Sequence, residues 1–347
     1  MLKPNQSIYR AKQTGFTIVE MMVGLAIGML ATVVIMQVFT QFEAQKRTST
    51  GTSDAQTNGS IGLFTITRDL QQAGYPLMSV TNSPLECTTV TDEGVAVGTD
   101  KLSPITVIEG GMASDSITIR YGNSAMGGVP SVITAVASPT PNDVTISNHF
   151  GCLANDKVLI TSVNNCAFTS ATAISPIATP PATITLANTT SAIAGATLAC
   201  LGTWNEITYT VNNGNLEKNG VAGVTGIVNL QAQYGISSVA NSNQITQWVD
   251  ATGGVWGTPS VADRNRIKAI RIAVIARNSK IETSNISSAC SSITTASPTG
   301  ICAWEGNLTS PAPSVDLSNV PDWDKYRYRV FETIVPLRNV IWSKNTL

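Results

Sequence analysis

A single carboxylate stands inside an otherwise uncharged run of 24 residues, which extends from Phe16 to Phe39. Glu20 lies near the start of this run, where unpaired backbone N–H groups and the helix dipole favour an anion. A carboxylate within a lipid bilayer is costly and by default marks a functional position. If the chain is cut after Gly15, the new ammonium group on Phe16 lies about one helical turn from Glu20. The spacing therefore predicts an ion pair between amine and carboxylate, within one chain or between neighbouring chains.

The apolar run is long enough to cross a membrane, because a helix over residues 16–39 is about 36 Å long and a hydrocarbon core is about 30 Å thick. The basic residues Lys3, Arg10 and Lys12 precede the run, and no acid accompanies them. Since basic flanks stay on the cytoplasmic side, we expect everything after the run to lie across the membrane. A plain membrane anchor that tolerates an acid near its end is the alternative.

Two glycines within the run, Gly24 and Gly28, form a G-x-x-x-G pair. Small residues at this spacing let helices approach closely in lipid, although glycine is also common in membrane helices for other reasons. The pair is therefore a candidate site of helix packing.

The cysteines all follow the apolar run, and they are Cys87, Cys152, Cys166, Cys200, Cys290 and Cys302. An even number on the exported side predicts disulfide bonds formed in an oxidising compartment. Many pairings are open, and Cys290 with Cys302 is favoured by proximity in sequence. A zinc site is the alternative, but the sequence has no C-x-x-C pair and its one histidine, His149, is isolated.

Motifs of common catalytic sites are missing from the sequence, which has no G-x-S-x-G, H-E-x-x-H or Walker-type phosphate loop. Two carboxylate pairs remain: Asp92 with Glu93, and Asp322 with Asp324 beside Trp323. Each pair is typical of a solvated turn, because a calcium site needs more oxygen donors than one pair supplies. We therefore expect no enzymatic activity, no cofactor and no metal.

The net charge of −1 is an average over unlike segments. Residues 1–15 carry +3, residues 16–75 carry −1, residues 76–260 carry −7 and residues 261–347 carry +4. With 43% apolar and 12% charged residues, the composition argues against a disordered chain and against a coiled coil. No basic stripe indicates a nucleic-acid site. The acidic middle and the basic end offer complementary surfaces for different neighbours.

A helix is predicted to continue from the apolar run over residues 40–75. Ile61, Phe64 and Leu70 with Ala73 fall roughly on one face, as in an amphipathic helix that lies on a sheet. Gly74 predicts the helix end. Between residues 48 and 62, serines, threonines, an asparagine and three glycines predict a soft or broken stretch.

From residue 76 onward, β-rich runs alternate with turn residues, so the sequence predicts a mainly antiparallel β domain covered by one helix, an α+β arrangement. The strongest runs are residues 116–121, 157–163, 207–211 and 267–275, and the last suits a central strand. Asn213-Gly214 predicts a hairpin turn.

The β-rich part is large for one domain, so two β lobes are an alternative to a single one. A Ser/Thr/Ala/Pro-rich run, residues 168–190, is the best candidate for an insertion or surface loop.

The residues around the predicted cut resemble a known processing signal. The run K-Q-T-G-F-T-I-V-E at residues 12–20 is similar to the class III signal of type IV pilins and type II secretion pseudopilins. In that family a prepilin peptidase cuts after the glycine and methylates the new N-terminal amine, and the glutamate pairs with the amine of a neighbouring subunit during assembly. The resemblance implies cleavage between Gly15 and Phe16, N-methylation of Phe16 and an assembly role for Glu20.

Further blocks resemble PilW-type minor pilins of the type IV pilus, and they are R-D-L-Q-Q-A-G-Y at residues 68–75, residues 224–235, Trp256 with residues 266–277, and residues 326–339. The last block also resembles J-type pseudopilins. For the first block, an ordinary helix end with Arg68 and Asp69 exposed is the alternative. The resemblance implies a pilin-like fold, in which a long N-terminal helix, transmembrane and then amphipathic, packs on a large antiparallel β-rich domain.

The resemblance also implies an organisation and a function. The expected parts are a cleaved leader (1–15), a transmembrane helix (16–39), an amphipathic helix (40–75) and a periplasmic β-rich domain with disulfides (76–347). The protein would be a single-pass bacterial inner-membrane protein that joins a priming complex near the tip of the pilus and supports motility, adhesion or DNA uptake. Its partners would be other minor pilins, the major pilin, prepilin peptidase, the inner-membrane assembly platform and a tip adhesin. The alternatives are a J-type minor pseudopilin of a type II secretion system and a membrane-anchored periplasmic binding module.

Overall fold

The computed structural model describes residues 15–77, 87–137, 142–148, 151–175, 182–189 and 191–341. Most of the leader, including its three basic residues, and His149 lie outside this part of the chain. The chain divides into two compact units, Met1–Gly51 and Thr52–Leu347. One helix, α1 (Ile18–Leu70), begins in the first unit and ends in the second. Among the described residues, α1 is the one helix long and apolar enough to cross a membrane.

The second unit is built mainly of β-strands. In the described residues these are β1 (Thr89–Asp92), β2 (Val95–Val97), β3 (Ile105–Ile108), β4 (Ser116–Tyr121), β5 (Ser131–Val136), β6 (Asp143–Ile146), β7 (Lys157–Ser162), β8 (Asn165–Ile174), β9 (Ala182–Leu186), β10 (Thr197–Gly202), β11 (Asn205–Asn212), β12 (Asn215–Lys218), β13 (Val221–Thr225), β14 (Ile227–Ser237), β15 (Ile245–Val249), β16 (Ile267–Ile281) and β17 (Tyr326–Pro336). Short helices are α2 (Gly253–Trp256), α3 (Val261–Arg264) and α4 (Arg338–Ile341), and single 3-10 turns lie at Thr99–Leu102 and Trp323–Lys325. The expected α+β class is confirmed.

One sheet closes on itself. Its order is β2-β1-β8-β7-β10-β5-β6-β9, and β8 also pairs with β9, so six antiparallel strands form a small barrel with β1 and β2 attached at its side. The barrel has its own core of small and branched side chains, such as Ile133, Ile160 and Ala171. The barrel core is separate from the core under α1, although both belong to the one compact unit Thr52–Leu347.

The predicted surface loop over residues 168–190 is wrong for its described part. Phe168 is buried in β8, and Ala182 to Leu186 form β9 on the barrel wall. Small residues such as Ala171 fill the narrow interior of a closed sheet, so a barrel strand here has few large apolar residues and looks like a loop in sequence.

The two remaining sheets have the orders β13-β12-β11-β4-β3 and β15-β14-β16-β17. The predicted strands at 116–121, 157–163, 207–211 and 267–275 are confirmed within one or two residues at most ends, although β16 continues to Ile281. β16 is central, since β14 and β17 pair with its two edges. Asn213 and Gly214 join β11 to β12 with positive φ angles of 49° and 73°, as a type I′ hairpin turn requires.

The C-terminal part of α1 packs on these sheets. Ala55, Ile66 and Leu70 are buried in one core with Ile270 and Ile272 of β16. Ile61 and Phe64 lie on the other side of the helix and are exposed. The amphipathic prediction therefore holds for the helix, but Ile61 and Phe64 are not on the buried face.

The predicted soft stretch over residues 48–62 is helical throughout. The hydroxyl groups of Thr48 and Ser60 donate hydrogen bonds to carbonyl groups one turn earlier, which keeps these side chains within the helix. The glycines lie where the helix approaches the sheets most closely: a Cβ at Gly59 would overlap the ring of Phe331, and one at Gly62 would lie 3.4 Å from Leu216 Cδ2. These glycines therefore serve packing.

Replacement of Gly59 by alanine should lower the free energy of unfolding by about 1–3 kcal/mol, because the added methyl group overpacks against Phe331 and outweighs the gain in helix propensity. Gly62→Ala is the matched control, since its methyl group lies at an ordinary contact distance from its neighbours. The free energy of unfolding of this variant should lie within about 1 kcal/mol of the wild-type value. Denaturant unfolding of the full-length chain in detergent measures both. A Gly59→Ala protein more stable than wild type would show that propensity, not packing, governs this position.

The six cysteines form three disulfide bonds, so the prediction of disulfides is confirmed. Cys87 joins Cys166 in β8, and Cys152 joins Cys200 in β10, so two bonds fasten segments to the barrel. Cys290 joins Cys302 within the long segment that connects β16 to β17. The Cα–Cα distances are 5.8, 5.3 and 4.9 Å, within the range of ordinary disulfides.

Candidate assembly site

The apolar run, residues 16–39, is exposed along its whole length in the first unit. Its large side chains are exposed, from 87% at Phe16 to 47% at Val38. Water is a poor solvent for so much contiguous apolar surface, so this helix needs lipid or other helices around it. The run can therefore act as an anchor in a bilayer and as a packing surface outside one.

Glu20 closes a capping box at the start of α1. Its Oε2 accepts hydrogen bonds from the backbone N–H of Thr17 at 2.9 Å and from the Thr17 hydroxyl at 3.1 Å. The Glu20 N–H donates in return to the Thr17 hydroxyl at 3.2 Å. This is the reciprocal T-x-x-E pattern that satisfies unpaired N–H groups at a helix start. The carboxylate is thus held at Thr17. Thr17 directly follows Phe16, and a cut after Gly15 would create the new N-terminal amine on Phe16.

Gly24 and Gly28 lie one turn apart on α1, and beyond the neighbouring backbone of the helix itself no atom of the described residues lies within 4 Å of a Cβ built on either. Both glycines leave a shallow open face on the helix. Another helix could approach closely at this face. Their role in packing stays a prediction.

The R-D-L-Q-Q-A-G-Y segment fastens the end of α1 to the sheets. Asp69 is 1% exposed, and its Oδ2 accepts hydrogen bonds from the Tyr209 hydroxyl at 2.6 Å and from Lys218 Nζ at 2.7 Å. Burial, and then the adjacent carboxylate, raise the pKa of Tyr209. Arg68 remains exposed. The interpretation of this segment as a helix end with both charged residues exposed is therefore wrong for Asp69.

The rest of the same segment turns the chain. α1 ends at Leu70, and turns follow to Pro76. Gly74 has φ +80°, a conformation that favours glycine, and its N–H donates to the carbonyl of Arg120 at 2.9 Å. The Tyr75 hydroxyl donates to the carbonyl of Ser124 at 2.7 Å. The R-D-L-Q-Q-A-G-Y segment, residues 68–75, therefore attaches the end of α1 to the sheets through hydrogen bonds.

Asp92, Glu93 and Asp322 of the two carboxylate pairs predicted from sequence bind lysines. Lys157 Nζ donates to Asp92 at 2.7 Å and to Glu93 at 3.1 Å, and the Lys325 ammonium lies 2.8 Å from Asp322. Within the described ranges, no group of three or more His, Cys, Asp and Glu side chains is arranged to hold a metal ion.

A carboxylate pair with no signature in the local sequence, Glu109 and Asp115, lies between β3 and β4. Asp115 is buried, and it accepts N–H bonds from Gly110 at 2.8 Å and from Ala232 of β14 at 2.7 Å. Burial raises the pKa of Asp115 to about 6. Burial, and then the charges of Asp115 and Asp250, raise the pKa of Glu109 to about 8. No local pattern marks this pair, because β14 is distant in sequence.

The Glu109 carboxyl makes stability depend on pH. Its pKa is raised above the ordinary value of 4.5, so its stabilising contribution is complete below about pH 4.5 and is lost as the pH rises towards 8. Glu109 is half-buried, so we discount the shift for solvent screening and expect Glu109→Gln to recover about 1–2 kcal/mol of the free energy of unfolding lost between pH 5 and 8. Unfolding curves across this range test it. Parallel pH profiles for wild type and variant would refute a titrating role.

A second feature missed from sequence is a stacked arginine. Arg271 of β16 lies between two indole rings, 5.0 Å from the Trp248 centroid and 4.4 Å from the Trp304 centroid, and its Nε donates to Gln233 at 2.8 Å. Burial lowers its pKa to about 10. The arginine holds the β16–β17 connection against the outer face of the sheet.

Comparison with known protein families agrees with this geometry. The family model for type IV pilus-assembly protein W, PilW, matches residues 201–339, and the model of the prokaryotic N-terminal methylation motif matches residues 10–36. No curated protein and no solved structure is a significant match to the chain. The first match covers β11–β17, whereas the barrel largely precedes it. The two matches, one at the anchor and one over the C-terminal sheets, confirm the resemblance of the chain to PilW-type minor pilins of the type IV pilus.

Proposed function

We propose that this protein is a structural minor pilin, made as a precursor and cut between Gly15 and Phe16 by a prepilin peptidase, with N-methylation of Phe16. The observation that carries the proposal is the position of Glu20, whose carboxylate is held by Thr17 beside the predicted cut. The match to the N-terminal methylation motif over residues 10–36 supports it independently.

In this proposal, residues 16–39 cross the bacterial inner membrane and residues 76–347 lie in the periplasm, joined by the amphipathic helix of residues 40–75. Basic residues before the apolar run and disulfides after it support this orientation. On assembly the anchor leaves the bilayer and its apolar side chains pack among the helices of the fibre at the cell surface. Gly24 and Gly28 permit the close approach.

Glu20 is the assembly residue in this scheme. After the cut, its carboxylate exchanges the Thr17 N–H for the methylated amine of a neighbouring subunit. Ions attract strongly in a low-dielectric environment, so an unpaired carboxylate is costly there and a docked one is stable. The pairing therefore selects subunits that enter in register.

Its partners are other minor pilins, with which it primes the fibre near the tip, together with the major pilin, the assembly platform and a tip adhesin. Motility, adhesion and DNA uptake follow from the fibre, and the protein itself has no enzymatic activity. A J-type pseudopilin of a secretion system shares the anchor and the last block, but the PilW match over residues 201–339 favours the pilus.

The proposal is tested by shearing fibres from cells that produce the full-length chain and probing for it. We expect the protein in the sheared fraction of wild-type cells and only in membranes of cells that lack prepilin peptidase. An equal amount in both membrane fractions, with none in fibres, would refute the pilin assignment and support a membrane-anchored binding module.

A further inference from the structure

β17 forms a long free edge. It pairs with β16 along one side, and among the described residues no strand pairs with its other side. It has 11 residues, whereas the edge strands β3, β13 and β15 have 4, 5 and 5. Proteins usually keep free edges short, because a row of unpaired N–H and C=O groups accepts another strand. An edge of this length is a template for strand addition.

The outer face of β17 carries Val330, Glu332 and Ile334, which alternate with residues of the opposite face. Val330 packs against the cluster around Ile301. Glu332 accepts the backbone N–H of Trp304 at 2.6 Å. Ile334 has no such cover and is 57% exposed. On this face, the C-terminal half of the β17 edge is therefore accessible at Ile334, whose side chain is apolar.

A cavity of about 460 Å³ adjoins the same stretch of β17. Its walls are Val330, Glu332, Trp304, Glu305 and part of the disulfide-bonded segment 296–302. Glu305 is exposed, and the only charged groups among the lining residues are the two carboxylates. Trp304 Nε1 is buried without a hydrogen-bond partner in the described part of the chain. Arg271 already stacks on one face of the Trp304 ring, and its charge interacts with Glu332. Glu305 has no ion pair within the described residues, so the cavity still suits a further cationic side chain.

The opposite face of the strand has the reverse charge. Arg327 and Arg329 are exposed there; Arg327 pairs with Glu282 at 2.9 Å, and Arg329 has no ion pair within the described residues. Opposed residues of antiparallel strands share a face, so two copies of β17 paired in this way cannot place Glu332 opposite either arginine. The charges therefore favour a different strand as partner.

We propose that β17 binds an extended segment of another subunit, which adds a strand to the sheet and places a lysine or arginine in the cavity against Glu305 and Glu332. An acidic residue on the other face of the segment meets Arg329. The partner is a peptide segment of the same fibre, so the inference rests on the proposed function. Main-chain hydrogen bonds supply the affinity, and the cavity selects the segment.

The test places the photoreactive residue p-benzoylphenylalanine at Ile334 of the full-length chain, in cells that assemble the fibre, and identifies the attached peptide by mass spectrometry. Ile334 lies two residues from Glu332 on one face, so we expect attachment to a segment with a lysine or arginine two residues from the reacted position. Glu305→Lys should reduce the adduct at least about tenfold, because like charges across an interface disfavour binding. Glu217→Lys, on β12 and outside the cavity, is the matched control and should leave the yield unchanged.

Attachment to a segment without a nearby basic residue, an adduct insensitive to Glu305→Lys, or no adduct while the protein is present in sheared fibres would each overturn the inference. Attachment to a second copy of this chain would overturn the choice of partner. Absence of the protein from the fibres would instead contradict the proposed function, so the two failures are distinguishable.

Discussion

Glu20→Ala should leave membrane insertion intact and reduce the protein in sheared fibres at least about tenfold. The substitution removes one charge from an otherwise apolar run, which favours insertion. It also removes the proposed partner of the neighbouring amine, and loss of a charged hydrogen bond of about 1.5–3 kcal/mol corresponds to a tenfold or larger change in an equilibrium. Quantitative blotting of membrane and sheared fractions measures both effects.

Two control variants separate assembly from helix capping. Thr17→Val removes the hydroxyl that exchanges hydrogen bonds with Glu20 but keeps the carboxylate, so it should cost about 1 kcal/mol of local helix stability and leave incorporation near wild type. Glu43→Ala removes a carboxylate that follows the apolar run, and it should change neither fraction. Normal incorporation of Glu20→Ala would end the assembly role of this residue.

The second large effect is expected at Asp69. Asp69→Ala should lower the free energy of unfolding by about 2–4 kcal/mol, because it leaves the buried Tyr209 hydroxyl only the Thr65 carbonyl at 3.5 Å as acceptor and leaves Lys218 without its ion pair. Lys218 is 40% exposed and can turn to water, which limits its share of the loss. Denaturant unfolding of the full-length chain in detergent, followed by tryptophan fluorescence, measures the change.

The neighbouring Arg68 supplies the control for this prediction. Arg68→Ala removes an exposed charge, so its free energy of unfolding should lie within about 0.5 kcal/mol of the wild-type value. In combination with Tyr209→Phe, the Asp69→Ala effect should shrink by about 1 kcal/mol or more, since the two side chains share one hydrogen bond. Equal losses from Arg68→Ala and Asp69→Ala would contradict a buried lock at this helix end.

The features that could be predicted from the sequence are those that depend on residues close together in the chain. Gly15, Phe16 and Glu20 lie within six consecutive residues, so the processing and assembly hypothesis needs no tertiary information. The Asn213-Gly214 turn and the central position of β16 also follow from neighbouring residues, and the structure confirms both. The long apolar helix and the four strongest strands could therefore be predicted from local pattern alone.

What could not be predicted depends on partners distant in sequence. Gly59 looked like a helix breaker because Phe331, which requires the glycine, is far along the chain. From the sequence, Asp69 could be interpreted as exposed, because its partners, Tyr209 and Lys218, lie far along the chain in the β11–β12 hairpin. The barrel strand that begins the 168–190 run looked like a loop, because a narrow closed sheet is filled by small side chains. In each case a long-range contact reverses what the local pattern indicates.

The free edge of β17 and the stacked Arg271 were also invisible in sequence. A strand pattern does not reveal whether a strand lies at the centre or the edge of a sheet when both faces are partly covered, as in β17. The side chains around Arg271 come from three separate segments. Both features lie within the strands that the PilW family model matches, residues 201–339.

The most direct test of the account is the mass of the mature N-terminus. The full-length chain is produced in cells with an active prepilin peptidase, extracted from the membrane, and its terminal peptide is sequenced by mass spectrometry. The account predicts a chain that begins at N-methylated Phe16 and lacks residues 1–15. A chain that still carries Met1 through Gly15 in those cells would contradict it.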